Sequence, residues 1–455
     1  MTHSAQTREP MLFSRSDLLK LILPLVAEQL LLMTVGMADT VMVTSSGEAA
    51  VSGVSLVDSI NILIIQVFSA LSTGGTVVVA QYLGRHEPEN AKTASKQLLY
   101  SMCAISLVLM SIGLIFRQHV LSLLFGQVEA DVMDSALIYF LLTAAAYPFI
   151  GIYNAGASLF RAVGKSNISM FCSLIINVIN ITVNAVAIYG FHMGAAGAGL
   201  GTLISRISAA VIIMAMLSHP KYPVRIEKVF PIRFERHMIR HILFVGIPNG
   251  LENGLFQVGK LLVLNLITTF GTAAVAANAI GNSVCSVVNV PGLALGLALV
   301  TVVSHCMGAG ETDQAVYYTK RLVGACYLSM GTLSLLVVLT ADQLVGLFSL
   351  SPEAAVMAVQ VIRICCLSNI VFWPTAFTLP NALRAAGDAV FTMVISLVSM
   401  FLCRVLLSYV LACSWGLGMG LAGVWLAMVA DWVVRCAFFV PRYRRGKWKD
   451  IRILD

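Results

Sequence analysis

The sequence predicts an all-α integral membrane protein: twelve transmembrane helices in two parallel six-helix repeats around a central cleft. Three observations carry that expectation. Of 455 residues, 58% are hydrophobic and only 11% charged, with a mean hydropathy of +0.88; a soluble domain has about 25% charged residues. The apolar residues fall into twelve runs, each long enough to cross a hydrocarbon core of about 30 Å. Finally, the chain shifted by 224 residues matches itself without a gap over roughly 80 positions, which marks a duplication.

The spans are expected at 18–43, 52–80, 96–116, 132–155, 167–190 and 195–217, then at 240–268, 275–305, 320–341, 354–379, 389–413 and 420–441. The first carries Pro24, Glu28 and Asp39; the seventh repeats Pro24 and Glu28 as Pro248 and Glu252. Gly47, Gly84, Glu87 and Lys96 recur as Gly271, Gly308, Glu311 and Lys320, and "LFRAVGKS" (159–166) is answered by "ALRAAGDA" (382–389) at an offset of 223. An even number of helices per half makes the repeats parallel, related by an axis along the membrane normal. The expected organisation is a tail (1–17), a six-helix lobe (18–217), a linker (218–239), a second lobe (240–441) and a basic tail (442–455).

The net charge of +7 is placed for a membrane rather than a nucleic acid. Arg8, Arg15, Lys20, Arg85, Lys92, Arg161, Lys228 and the tail residues Arg442 to Arg452 all fall on one side, while the other side's connections hold only Arg117. This positive-inside bias puts both termini in the cytoplasm. The polar start reads as no cleaved signal peptide. The ten cysteines sit almost wholly in apolar runs and are read as small packing residues. No nucleotide loop, serine–histidine arrangement or metalloprotease motif appears; "GAAGAGLGT" (194–202) follows no strand and suits close helix packing.

A charge inside a bilayer helix is costly and marks a pathway or a site. Asp39 lies near the outer end of the first span; Asn180 and Asn184 share a face of the fifth, with Asn177 a turn earlier; Thr202 lies in the outer half of the sixth. One carboxylate, two amides and a hydroxyl are hard ligands for a small cation such as Na⁺. The same carboxylate could instead carry a proton, and asparagines can simply bridge helices. Asn177 is read as such a bridge. Glu28 and Glu252 each lie one turn past a proline that frees a carbonyl, and Glu252, amid "PNGLENG", suits a cavity wall. Glu252→Gln is expected to impair function with near-normal expression. Asp431 and Arg435 are spaced to pair, whereas Lys260, Arg363 and Arg404 lack an obvious carboxylate and either snorkel or mark an anionic or zwitterionic ligand.

"ADTVMV" (38–43), "AQYLGRHEPENA" (80–91), "SHCMGAGETDQA" (304–315), "FRAVGKSN" (160–167) and "LRAAGDA" (383–389) resemble the MATE family of multidrug and toxin extrusion transporters, closer to its bacterial NorM-like branch. The resemblance implies cation-coupled antiport of organic, often cationic, drugs. It assigns Asp39, Asn180, Asn184 and Thr202 to a first-lobe cation site, holding Na⁺ if sodium-coupled, and Glu252 to the seventh-helix acid of that branch. Trp373 stands where a tenth-helix aspartate is expected, against a two-carboxylate site in the second lobe. Substrate or coupling roles are therefore expected of Glu252, Glu28, Lys260 and Trp373. The expected protein is no enzyme and needs no cofactor beyond a coupling Na⁺ or H⁺. It works as a monomer in the bacterial cytoplasmic membrane, meeting lipid and an organic substrate but no nucleic acid. The alternative function is a flippase of a lipid-linked or anionic substrate.

Overall fold

The structure, a computed structural model, describes residues 11–126, 128–226 and 230–454; Arg8, Lys228 and the outermost ends of both tails lie outside them. The described residues form helices without strands. The first lobe comprises α1 (Arg15–Thr44), α2 (Glu48–Gly84), α3 (Pro88–Ile115), the short α4 (Arg117–Phe125), α5 (Ala130–Ala162), α6 (Ser166–Ala185, prolonged by a π turn Val186–Gly190) and α7 (Gly194–Leu217). The second follows the same plan: α8 (Arg236–Thr268), α9 (Thr272–Gly308), α10 (Thr312–Leu339) and the short α11 (Ala341–Gly346). Next come α12 (Pro352–Val371), a π turn (Pro374–Thr378) and α13 (Leu379–Ala385). The lobe closes with α14 (Ala389–Ser399), a π turn (Met400–Leu406), α15 (Leu407–Ala412) and α16 (Gly420–Arg444). Among the described residues eleven helices are long and apolar enough to cross a membrane; α8 has the length, but Arg236, Arg240, Glu252 and Lys260 dilute its apolarity.

Local chemistry sets these elements. The Ser14 hydroxyl accepts from the Asp17 amide at 3.2 Å while the Asp17 carboxylate accepts from the Ser14 amide at 3.0 Å, a capping box that starts α1. Ser351 caps α12 with Pro352 at its first position. Gly47 and Gly271, 224 residues apart, turn into α2 and α9 at φ 98° and 96°, a region that favours glycine. Pro24 cannot donate to the Lys20 carbonyl; Ser166 Oγ reaches that oxygen at 3.4 Å and the next, of Leu21, at 2.6 Å.

Two hydrophobic cores result, and the first helix of each lobe crosses between them. Leu18, Leu21 and Leu25 of α1 pack in the second lobe's core, while Ile242 and Val245 of α8 pack in the first's. The helices α2 and α9 meet along the pseudo-axis. A side chain at Gly84 would collide with the His305 carbonyl, and one at the equivalent Gly308 with that of Gln81. Two reciprocal bonds lock this end: Gln81 Nε2 donates to Ala385 O at 2.9 Å, and His305 Nε2 lies 2.7 Å from Ala162 O. This is the face that carries both tails. Phe13 binds Tyr318 there, and Ile453 and Leu454 are buried in the first core. Toward the opposite face the lobes enclose cavities.

The tenth span differs from the continuous helix expected over 354–379. It breaks near Phe372 and resumes through the π turn at Pro374, because Pro374 and Pro380 each delete a helical hydrogen bond.

Candidate functional site

In the first lobe α1 and α6 run side by side, bridged by Asn177 Nδ2, which donates to the Leu31 carbonyl at 3.2 Å. Further along, Asn184 Nδ2 donates to Asp39 Oδ1 at 2.7 Å and to Asn180 Oδ1 at 3.3 Å. The amide is thereby shared between a carboxylate and a carbonyl, and Asn184 Oδ1 is left buried with no hydrogen-bond partner. Gly201 of α7 makes this packing possible, because a Cβ there would collide with Asn184 Oδ1.

Asp39 faces a cavity of about 200 Å³ that Thr202, Arg206 and a second carboxylate, Asp58, also line. Asp58 Oδ1 accepts from Tyr139 Oη at 3.0 Å and from Asn61 Nδ2 at 3.2 Å; Tyr147 Oη in turn donates to Asn61 Oδ1 at 3.0 Å. The structure thus gathers Asp39, Asn180, Asn184 and Thr202 in one region, and adds Asp58, Tyr139 and Arg206, which the sequence reading missed. The available signal was a lone aspartate near one end of an apolar run; the rotation of α2 that turns it inward was not available. No group of three or more His, Cys, Asp or Glu suited to a metal occurs among the described residues. A cation here would rely on neutral oxygens beside its carboxylates.

Glu252 lines a separate cavity of about 430 Å³ between the lobes, together with Trp373, Gln29 and Gln66. Arg384 Nη2 donates to Glu252 Oε1 at 2.6 Å and Arg435 Nη1 stands 4.0 Å away. The groups facing Glu252 are arginines, not a second carboxylate. Trp373 is buried, tilted against Phe377 with centroids 5.1 Å apart and seated over Gly292. Arg435 is also bound to Asp431 at 2.9 Å, the pairing their spacing predicts. Glu28 has the equivalent arrangement. It accepts from Ser169 Oγ at 2.8 Å and lies 3.6 Å from Arg161, the counterpart of Arg384, and it lines none of these cavities.

The three unpaired cations expected from sequence become two. Arg363 donates to Asp342 Oδ2 at 2.6 Å on the face opposite the tails, because α11 returns Asp342 beside α12. Lys260 does not approach Glu252; it lines another cavity with Arg404.

A family model described as MatE matches this chain twice, over residues 24–186 and 248–410. Its two starts and its two ends both differ by 224 residues. Similar proteins include "Probable multidrug resistance protein NorM" of Thermotoga maritima, 25% identical over 445 residues (97% of this chain, 94% of that protein). "Uncharacterized transporter YisQ" of Bacillus subtilis is 26% identical over 444 residues (95% and 94%). Among solved structures, "Outward-facing conformation of a multidrug resistance MATE family transporter of the MOP superfamily" superposes with a TM-score of 0.89 at 18% identity, covering 96% of each chain. A Pyrococcus furiosus transporter of that superfamily, titled "Reverse polarity of binding pocket suggests different function", gives 0.88 at 19%, again over 96% of each.

Proposed function

We propose a function from one premise: this chain belongs to the MatE family, the MATE transporters. It is therefore a multi-pass membrane transporter and not an enzyme. In our reading it is a secondary antiporter that expels organic, mainly cationic, compounds in exchange for Na⁺ or H⁺. The face carrying both tails is cytoplasmic, as its basic residues argue, so the cavities of Asp39 and Glu252 open outward while the reciprocal bonds of Gln81 and His305 hold the inner side shut.

One observation carries this reading: Asp39 shares the Asn184 amide with Asn180 at the wall of a cavity, beside an unpartnered buried oxygen. A cation or proton arriving from outside neutralises Asp39 and releases the amide. That changes how α1 and α6 are held, and a coupling ion biases a transporter only through such differential contacts. Each net charge carried inward across ~100 mV supplies ~2.3 kcal/mol, a gradient of roughly fiftyfold, whereas a one-for-one exchange with a monocation draws on the ion's own concentration gradient. The names of the relatives support drugs as the cargo, and Trp373, which lines the central cavity, offers an aromatic surface for organic cations.

The test is uptake by purified protein in proteoliposomes under separately imposed Na⁺ and H⁺ gradients. Concentrative movement of an organic cation under one of them supports the reading. Equal movement with neither gradient contradicts it.

A further inference from the structure

The duplication places a counterpart of the Asp39 cavity in the second lobe, and its polarity is inverted. A cavity of about 330 Å³ lies between α2, α8, α9, α15's preceding π turn and α16. Six of its residues fall 224 positions after residues of the first cavity: Lys260 after Gly36, Val263 after Asp39, Leu264 after Thr40, Ile267 after Val43, Asn278 after Val54 and Asn282 after Asp58. Both carboxylates are thus replaced by uncharged groups, and a cation stands where the first lobe has glycine. Arg404 adds a second cation at about the level of Asn180. It sits on the π turn Met400–Leu406, an irregularity frequent at functional sites.

Neither cation has a carboxylate of its own. Among the described residues Lys260 forms no ion pair or hydrogen bond, and its side chain is open to the cavity within reach of the field of Arg404. The guanidinium of Arg404 lies over the Phe256 ring, 5.1 Å from its centroid. The carboxylate whose field reaches Arg404, Asp431, already accepts from Arg435 at 2.9 Å and Ser399 at 2.6 Å. Two like charges at membrane depth, in a cavity whose other polar groups are the neutral Ser59, Gln257, Asn278, Asn282 and Ser286, favour an anionic occupant. Trp425, held by its Nε1–H to Asn278 Oδ1 at 3.2 Å, supplies a flat apolar wall beside them.

We propose that this second-lobe cavity binds an organic anion, a single carboxylate or phosphate on an apolar or aromatic body, clasped between Lys260 and Arg404. Together with the acidic first-lobe cavity it gives the molecule two sites of opposite sign, suited to zwitterions as well as cations. The same anionic chemistry could come from a water-soluble compound or from a lipid headgroup. The site needs no coupling at Asp39, so failure of the antiport reading leaves it standing.

The experiment is equilibrium binding to the full chain in nanodiscs. The probe is 4-nitrobenzoate, which quenches tryptophan fluorescence, compared with its neutral isostere 4-nitrobenzamide. The carboxylate should bind at least about tenfold more tightly than the amide, and Lys260→Gln or Arg404→Gln should each remove about tenfold of its affinity while leaving amide binding unchanged. Arg404→Lys keeps the charge and should retain most of the preference, and melting temperatures identify any variant that misfolds. Discs of phosphatidylcholine alone are compared with discs containing phosphatidylglycerol. Competition by the anionic lipid that vanishes in both glutamine variants supports the site with a headgroup as occupant; its absence supports a soluble anion. Equal binding of carboxylate and amide in phosphatidylcholine discs, or carboxylate affinity unchanged by both glutamine variants, would overturn the proposal.

Discussion

Asn184 has one amide group to hold two acceptors, Asp39 at 2.7 Å and Asn180 at 3.3 Å, so the Asp39 cluster is sensitive to small displacements. Gly201→Ala should push the Asn184 side chain away and raise the half-saturation of the coupling ion, as should Asn180→Ala and Asn184→Ala, all with the fold intact. Ion titration of transport checks this; unchanged half-saturation in all three variants would remove the asparagines from the site. Glu252 asks for a different expectation than its sequence context gave. Its ion pair with Arg384 is buried, and removing one partner of a buried pair costs about 3–5 kcal/mol. Glu252→Gln should therefore lower the melting temperature as well as impair export. Adding Arg384→Met should recover stability, and export stays low if Glu252 itself works in transport. Full export by the stabilised double variant would make Glu252 structural.

At the scale of elements, the repeat-related glycines Gly84 and Gly308 let α2 and α9 touch backbone to backbone. Gly308→Ala drives a methyl group into the Gln81 carbonyl, so the two helices must separate at the tail-bearing face. Hydrogen exchange should then quicken over 76–84 and 300–308; exchange as slow as in the wild type would show that this contact does not hold the face shut. Much of this level is legible in the sequence. The offset of 224, the twelve runs and the paired prolines all follow from covalent order and hydropathy. The π turn at Pro374 is signalled by its prolines, whereas those at Val186 and Met400 are not legible, because no proline marks them. Nor is the Arg363–Asp342 pair, which requires knowing that α11 folds back on α12. The Arg161 and Arg384 motifs read as loop cations, and their role against Glu28 and Glu252 emerges only when helices far apart in sequence are brought together.

Over the whole molecule, two lobes share one plan and differ in charge. The first turns carboxylates toward its cavity; the second surrounds Glu252 with arginines and opens Lys260 and Arg404 to another space. Hydropathy shows that these charges lie within spans, but which cavity each one faces depends on helix rotation, and Asp58 was overlooked for that reason. On the proposed function, coupling belongs to the first lobe and cargo contact to the central cavity. Trp373→Ala should accordingly change the range of compounds exported more than the ion requirement, since a desolvated cation–π contact is worth about 2 kcal/mol. Transport assays with several organic cations under a fixed gradient check it; an unchanged range with altered ion dependence would reverse the assignment.

The proposed coupling of ion entry to export at Asp39 is read out by gradient-driven uptake by Asp39→Asn in proteoliposomes, at matched protein content. Asparagine keeps the size and the oxygen that meets Asn184 while deleting a charge whose insertion costs roughly 2.5–3.5 kcal/mol, so the variant should fold at least as well as the wild type. It should no longer concentrate an organic cation under either a Na⁺ or an H⁺ gradient. Concentrative uptake equal to the wild type would contradict that coupling and leave Asp39 a structural acid.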